Sequence, residues 1–146
     1  LYISREVEFA AAHRLFREDL SEQENFALFG KCANRYGHGH TYKLRATFKG
    51  PINSQTGMVV HFDVIKRLLN ETVIVPLDHH NLNEDVSFLK EVLPTLENVV
   101  QKLWEEIVRC TAEPWGLYCL RLSSSQRHCV EYFGPIPSAI YDSTWT

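Results

Sequence analysis

The sequence predicts an α+β domain in which two helices cover one face of a four-stranded antiparallel sheet. Two long segments near the N terminus alternate apolar and polar residues, two later segments repeat apolar residues at helical spacing, and two short alternating segments follow them. Runs of strands, then helices, then strands are typical of a sheet that carries its helices on one side. The expected element order is therefore β-β-α-α-β-β.

The first two predicted strands carry the clearest alternation. Across residues 3–13 the odd positions are mostly apolar, and His13 continues that inward phase. Across residues 38–48 the even positions share one face, and His38 and His40 stand at its start. Two shorter strands are expected at residues 117–122 and 129–133, around a serine-rich turn.

The two predicted helices are marked by apolar stripes and by polar residues at their starts. Asp63 is placed to cap or charge the first turn of one helix, and Thr95 is the expected N-cap of the other. The apolar stripes are Val64, Ile65, Leu68, Leu69 and Val73 in the first helix, and Val99, Val100, Leu103, Trp104, Ile107 and Val108 in the second.

Length and composition predict one domain over residues 1–134, followed by an irregular tail over residues 135–146. The chain has 15 Lys and Arg against 18 Asp and Glu, so its charge of -3 gives no reason to expect a nucleic acid or an anionic membrane as partner. No apolar segment reaches the roughly 18 residues of a membrane helix. The four cysteines show no paired short spacing, which predicts a reducing, cytoplasmic setting.

Three histidines on the inward phase of the first two strands predict a metal site. His38 and His40 point the same way, and His13 reaches them if the two strands pair antiparallel. Three imidazoles with an open fourth position are the ligand set of catalytic zinc. Each histidine alone is more typical of an ordinary strand-end residue, but the Gly-His-Gly-His sequence at 37–40 favours the metal, because glycines at a strand start mark close backbone approach.

Three further positions are candidates for chemistry. Cys32 lies in a polar loop with Lys31 and Arg35, and a thiol near cations and a metal ionises more readily. Asp78 and His79 could set up proton transfer, although adjacent side chains in a strand do not easily bond each other, and His80 is an alternative to His79. Each of these positions is also compatible with a purely structural or solvent-exposed role.

A series of motifs in this order resembles the 6-pyruvoyl-tetrahydropterin synthase family. The resemblance spans roughly residues 7–132, and the five residues between Cys32 and His38 resemble the biopterin-pathway branch more than the bacterial 6-carboxy-tetrahydropterin synthases. The motifs are FAAAHRL at 9–15, FGKC at 29–32, GHGH at 37–40, TGMV at 56–59, PLDHHNL at 76–82 and TLEN at 95–98.

The resemblance implies a tunnelling fold, whose subunits associate through their sheets into an oligomeric barrel, commonly a hexamer built as a dimer of trimers. It implies a lyase that eliminates triphosphate from 7,8-dihydroneopterin triphosphate and rearranges the side chain by internal redox. The implied roles are metal binding by His13, His38 and His40 with Zn²⁺, catalysis by Cys32, Asp78 and His79, and substrate binding by Thr95 and Glu97.

The sequence departs from the family pattern at Ser124. The family usually places a second pterin-anchoring glutamate there, and a serine cannot supply its carboxylate acceptors. Two alternatives stay open: a 6-carboxy-tetrahydropterin synthase or other pterin-side-chain enzyme, and a non-catalytic pterin- or nucleotide-binding domain or structural zinc domain. His61 and His80 receive no role from the resemblance.

Overall fold

The computed structural model describes residues 1–135, and it has the predicted α+β architecture. The predicted tail, residues 135–146, lies outside the described residues except for Pro135, so the domain limits stay a prediction. The strands are β1 (Tyr2–His13), β2 (His38–Lys49), β3 (His80–Asn81), β4 (Gly116–Ser123) and β5 (Cys129–Tyr132). The helices are α1 (Glu22–Phe29), α2 (Phe62–Leu69), α3 (Val75–Leu77) and α4 (Leu96–Arg109).

The sheet has five strands in the order β3-β1-β2-β4-β5, and it is mixed rather than purely antiparallel. The β1-β2-β4-β5 pairs are antiparallel as predicted, whereas β3 pairs parallel with the end of β1. Two backbone hydrogen bonds to β1 flank β3: the His79 N–H donates to the Ala10 carbonyl at 2.6 Å, and the Leu82 N–H donates to the Ala12 carbonyl at 2.8 Å. A two-residue strand shows no alternation, so the sequence did not predict it.

The two predicted helices form. Asp63 places its charge in the first turn of α2, which is one of its two predicted roles, whereas the cap is His61, whose ring accepts a hydrogen bond from the Asp63 N–H at 3.1 Å. Thr95 caps α4 as predicted, with its side chain accepting from the Asn98 N–H at 3.3 Å. Between α2 and α3 the chain widens into a π-helical turn, Asn70–Ile74.

Helix α1 was not predicted, because it lacks an apolar stripe. A capping box starts it: the Ser21 side chain accepts from the Glu24 N–H, and the Glu24 carboxylate accepts from the Ser21 N–H. Asn25 in its first turn is fully buried and donates to the carbonyls of Arg17, Leu20 and Ser21. Polar contacts, rather than hydrophobic burial, therefore hold α1 in place.

One hydrophobic core lies between the sheet and the helices. Helix α2 packs on β1, and α4 packs on β4 and β5, so both predicted helices cover the same face of the sheet. The largest buried side chains of this core are Phe9, Tyr42, Leu44, Phe48, Ile65, Leu69, Leu77, Leu82, Leu89, Leu103, Ile107 and Leu120. Within residues 1–135 no helix has the length and apolar character to cross a membrane.

Candidate metal centre and its surroundings

Three imidazoles converge where β1 ends and β2 begins. The antiparallel register places His13 opposite His38 and Ala11 opposite His40, so all three histidines project from the same face of adjacent strands. Each ring offers one nitrogen, and these three nitrogens lie within 4.8 Å of one another. The ring centroids of the three pairs are 4.6 to 5.1 Å apart. The arrangement is a preformed three-nitrogen site.

His13 is the most constrained of the three rings. It is 8% exposed, and its Nδ1 lies 2.8 Å from the carbonyl oxygen of Pro94, to which it donates. That hydrogen bond places the proton on Nδ1 and leaves the Nε2 lone pair facing the other two rings, 3.2 Å from the Nε2 of His38. The contact joins residues 81 positions apart, so no local sequence pattern could have identified Pro94.

Burial favours the neutral, metal-binding form of His13 and His40. Burial is the main cause that lowers the pKa of His13, opposed by the Pro94 hydrogen bond and assisted by His38 and His40. Burial and the neighbouring His38 lower the pKa of His40. Neutral imidazole is the ligating form, so both shifts favour coordination at neutral pH.

The donor set fits a zinc ion. Zinc–nitrogen bonds of about 2.0–2.1 Å in a tetrahedron place ligand nitrogens about 3.3 Å apart. The 3.2 Å separation of the His13 and His38 nitrogens is close to that spacing, and all three nitrogens lie within 4.8 Å of one another. Three imidazole nitrogens leave the fourth coordination position for a water or a substrate oxygen.

Glycine is required beside the histidines because the two strands approach closely there. Gly37 has φ +67°, and a Cβ on it would lie 2.8 Å from the carbonyl oxygen of His13. The Gly37 N–H donates to the Asn34 carbonyl at 2.8 Å, which closes the loop before β2. The glycine therefore sets the distance between His13 and His38.

Cys32 lies in a 3₁₀ turn, Gly30–Ala33, next to the end of β1. Its carbonyl accepts from the Leu15 N–H at 2.9 Å, and the Arg14 guanidinium donates to the Ala33 carbonyl at 2.9 Å. The thiol is half-buried and free of disulfide bonding. The turn is thus anchored to the two residues that follow His13.

Asp78 and His79 form a bonded pair beside β1, which corrects the expectation that they would not bond each other. His79 Nδ1 lies 3.0 Å from Asp78 Oδ2, because His79 adopts a left-handed conformation with φ +60° instead of continuing a strand. Asp78 Oδ1 accepts from the Ala10 N–H at 2.8 Å, and this bond, followed by His79, lowers the pKa of the Asp78 carboxyl. His79 is 82% exposed, and within residues 1–135 neither side chain bonds Cys32.

The start of α4 adjoins the histidine cluster through Pro94. Pro94 accepts from His13, Thr95 caps the helix, and Glu97 follows in its first turn with an exposed side chain. Ser124 lies half-buried in the turn after β4, next to Ser123, which pairs with Lys43 on β2 three residues after His40. The structure thus brings the histidines and the α4 start together, and it places Ser124 at the neighbouring strand on the other side of β2.

Comparisons of the sequence and of the structure with known proteins point to the same family. The family model for 6-pyruvoyl tetrahydropterin synthase matches residues 2–135. A Pongo abelii protein named 6-pyruvoyl tetrahydrobiopterin synthase is 41% identical over 133 residues, covering 90% of both chains, and a Homo sapiens protein of the same name is 40% identical over the same shares. The solved structure of Caenorhabditis elegans 6-pyruvoyl tetrahydropterin synthase is similar with a TM-score of 0.86 and 33% identity, covering 92% of this chain and 96% of that one.

Proposed function

Because the chain belongs to the 6-pyruvoyl tetrahydropterin synthase family, we propose that it converts 7,8-dihydroneopterin triphosphate into 6-pyruvoyl-tetrahydropterin as a zinc-dependent carbon–oxygen lyase. The observation that carries this proposal is the convergence of three imidazole nitrogens within 4.8 Å beside the turn that holds Cys32. The reaction releases triphosphate and moves electrons within the substrate side chain, so it needs no external oxidant.

His13, His38 and His40 would hold the metal. A zinc ion at this position would supply Lewis acidity toward the side-chain oxygens of the substrate and so acidify the neighbouring C–H bond. The Pro94 carbonyl would keep the His13 ring in its ligating tautomer, since the 2.8 Å hydrogen bond occupies Nδ1. The imidazoles thus orient the substrate, and a separate group must accept its proton.

Cys32 would be that base. As a thiolate it would take the proton from the substrate carbon and become a thiol. Asp78 and His79 would then move the proton onward, since the Asp78 carboxylate orients the His79 ring through Nδ1 and leaves Nε2 free. The exposure of His79 supports a pair that meets the Cys32 of a neighbouring subunit rather than its own.

Thr95 and Glu97 would bind the pterin at the start of α4. The Glu97 carboxylate is exposed one turn from Pro94, and it could accept two hydrogen bonds from the amino-substituted ring. Thr95 already accepts the Asn98 N–H, so it would add only its hydroxyl proton. With Ser124 at the position of the second glutamate, a Ser124→Glu variant is expected to lower KM if the pterin reaches that turn.

A homohexamer, built as a dimer of trimers, is the proposed assembly. The short strands β3 and β5 end the sheet on both sides, and pairing between subunits would close these edges into a barrel. Tyr2 and Phe133 are 58% and 59% exposed near the sheet, which supports their burial by a neighbouring subunit.

The four cysteines are free, which supports a cytoplasmic setting for the enzyme.

The proposal is tested by incubating zinc-loaded protein with 7,8-dihydroneopterin triphosphate and following products by mass spectrometry and released triphosphate. 6-Pyruvoyl-tetrahydropterin and triphosphate should form in equal amounts, and chelation followed by zinc addition should abolish and restore turnover. Release of acetaldehyde would instead indicate a 6-carboxy-tetrahydropterin synthase. Binding of the pterin without any turnover would refute the enzymatic proposal.

A further inference from the structure

Arg14, the residue after the candidate metal ligand His13, is clamped along its backbone. Its N–H donates to the Asn83 Oδ1 at 2.8 Å, and its carbonyl accepts from the Asn83 Nδ2 at 2.9 Å. The Asn83 N–H in turn donates to the Asn81 Oδ1 at 3.0 Å, and Asn81 belongs to β3. These bonds have the ordinary length of N–H···O hydrogen bonds, so they hold the end of β1 and the residues around β3 as one unit.

The Arg14 side chain holds the turn that carries Cys32. Its Nε donates to the Ala33 carbonyl at 2.9 Å, and its guanidinium carbon lies 3.9 Å from the centroid of the Phe16 ring. A second bond, from the Leu15 N–H to the Cys32 carbonyl at 2.9 Å, joins the same two segments. Two hydrogen bonds at neighbouring carbonyls therefore fix both the position and the orientation of the turn.

Arginine makes both side-chain contacts at once, which lysine does not. A guanidinium plane stacks on an aromatic face and presents an N–H at its side, whereas an ammonium is a compact charge without a plane. Within residues 1–135, Arg14 forms no ion pair with a carboxylate, while Arg17 bonds the exposed Asp19. The Arg14 guanidinium thus serves the Cys32 turn rather than a charge partner.

We propose that Arg14 is a positioning residue, which sets the distance between the metal that His13 binds and the thiol of Cys32. These two groups belong to different segments of the chain, and Arg14 is bonded to both segments. A displacement of about 1 Å between reacting groups costs about 100-fold in rate, so loss of this contact affects turnover even where both groups remain. The inference rests on the proposed function, in which His13 holds zinc and Cys32 accepts the substrate proton.

The first test measures turnover in Arg14→Ala and Arg14→Lys. Both variants keep His13 and Cys32, so kcat for triphosphate release should fall about 100-fold, while KM and the zinc affinity stay at wild-type values. Guanidinium ion at low millimolar concentration should restore part of kcat in Arg14→Ala, because Arg14 lines a cavity of about 390 Å³ beside α1 that would admit the ion. Methylammonium should not restore kcat, since it lacks the planar donor.

The second test measures the spacing without any turnover. Alkylation of Cys32 by iodoacetamide is followed by peptide mass spectrometry across a pH series, with and without zinc. A bound dication lowers the pKa of a nearby thiol, and the effect weakens with distance, so zinc should shift the wild-type alkylation curve to lower pH. This zinc-induced shift should shrink in both Arg14 variants and return in Arg14→Ala with guanidinium. Each variant is compared with its own metal-free form, so the lost charge of Arg14 cancels.

Arg17→Ala is the matched control. Arg17 lines a cavity together with His13 and Arg14, but its Nε donates to the Asp19 Oδ1 at 3.0 Å on the surface. This variant should keep the wild-type kcat, Tm and zinc-induced shift. Arg14→Lys keeps the charge and most of the side chain, so it provides the measurement if Arg14→Ala does not fold.

Three outcomes would overturn the inference: a wild-type zinc-induced shift in the Arg14 variants, no zinc-induced shift in the wild type, or an equal loss in Arg17→Ala. Weaker zinc binding in the Arg14 variants would also overturn it, because Arg14 would then support the metal site itself. The proposed function is judged separately, since it fails if the wild type does not convert the triphosphate. The alkylation curves decide the role of Arg14 even in that case.

Discussion

Replacing Gly37 by alanine is expected to damage the metal centre without altering any imidazole. Gly37 precedes β2 with φ +67°, and an added Cβ would lie 2.8 Å from the carbonyl oxygen of His13, where ordinary contact begins at 3.4 Å. Both atoms belong to backbone, so neither can rotate away as a flexible side chain would. Either Gly37 or the end of β1 must move, and His13 moves with it.

The expected cost has two physical parts. A left-handed φ costs a residue with a Cβ about 1–2 kcal/mol, and forcing an extra carbon into packed structure typically costs about 1–3 kcal/mol more. Gly37→Ala should therefore lower the free energy of unfolding by about 2–5 kcal/mol. Gly57→Ala is the matched control, because Gly57 has φ +70° but a Cβ there meets nothing within 4 Å. It should lose only the first part.

The assays separate stability from metal binding. Urea unfolding of the metal-free proteins gives the free energies, and competition with a chromogenic chelator gives the zinc affinity. We expect Gly37→Ala to bind zinc about 10–100-fold more weakly, the size of effect that displaced ligand support produces, and Gly57→Ala to bind like the wild type. Equal losses in the two variants would refute the reasoning. Gly37→Asn sharpens the test, because asparagine tolerates the left-handed φ but keeps the clash, so wild-type behaviour in that variant would also refute it.

Three further predictions follow from the same structure. Cys32→Ala should lower kcat by a factor of about 10²–10⁴, measured by triphosphate release, with the zinc content unchanged. Cys110→Ala, at an exposed position, should keep full activity. Equal rates in the two variants would show that Cys32 is not the base. Because the pKa values of His13 and His40 are lowered below the ordinary 6.5, the unfolded chain binds more protons than the folded one as pH falls. The metal-free protein should therefore lose stability once the pH falls through 6.5. In stepped dialysis, zinc should stay bound down to about pH 6, and release of zinc above pH 6.5 would contradict the lowered pKa values. Leu44→Ala should lower the free energy of unfolding, measured by urea denaturation, by about 2–5 kcal/mol, because the Leu44 side chain is 0% exposed in the centre of β2. A loss below about 1 kcal/mol would contradict its place in the core.

Where side-chain periodicity is strong, the sequence predicted the structure correctly. The alternation through His13 and from His38 onward fixed which faces of β1 and β2 are buried, and hence which histidines share a face. The sequence also placed Thr95 correctly at the start of α4, because a cap is a local hydrogen bond between residues a few positions apart. The α+β class and the candidate metal ligands followed from these local patterns.

Local patterns failed where polar contacts or distant partners decide the conformation. Helix α1 is held by a capping box and by buried Asn25, so it has no apolar period to detect. Strand β3 is two residues long, and it exists because the end of β1 offers free backbone groups for it to pair with. The Asp78–His79 bond depends on the left-handed backbone of His79, which the residue type does not specify.

By itself the sequence determined on which face of each strand the candidate site residues stand, since a period of two is a property of neighbouring residues. Only the tertiary structure decided the partners that give those side chains their chemical state: Pro94 for the tautomer of His13 and Ala10 for the carboxyl of Asp78. These contacts join residues far apart in the chain, and no local pattern encodes a distance that only the packed sheet and helices establish.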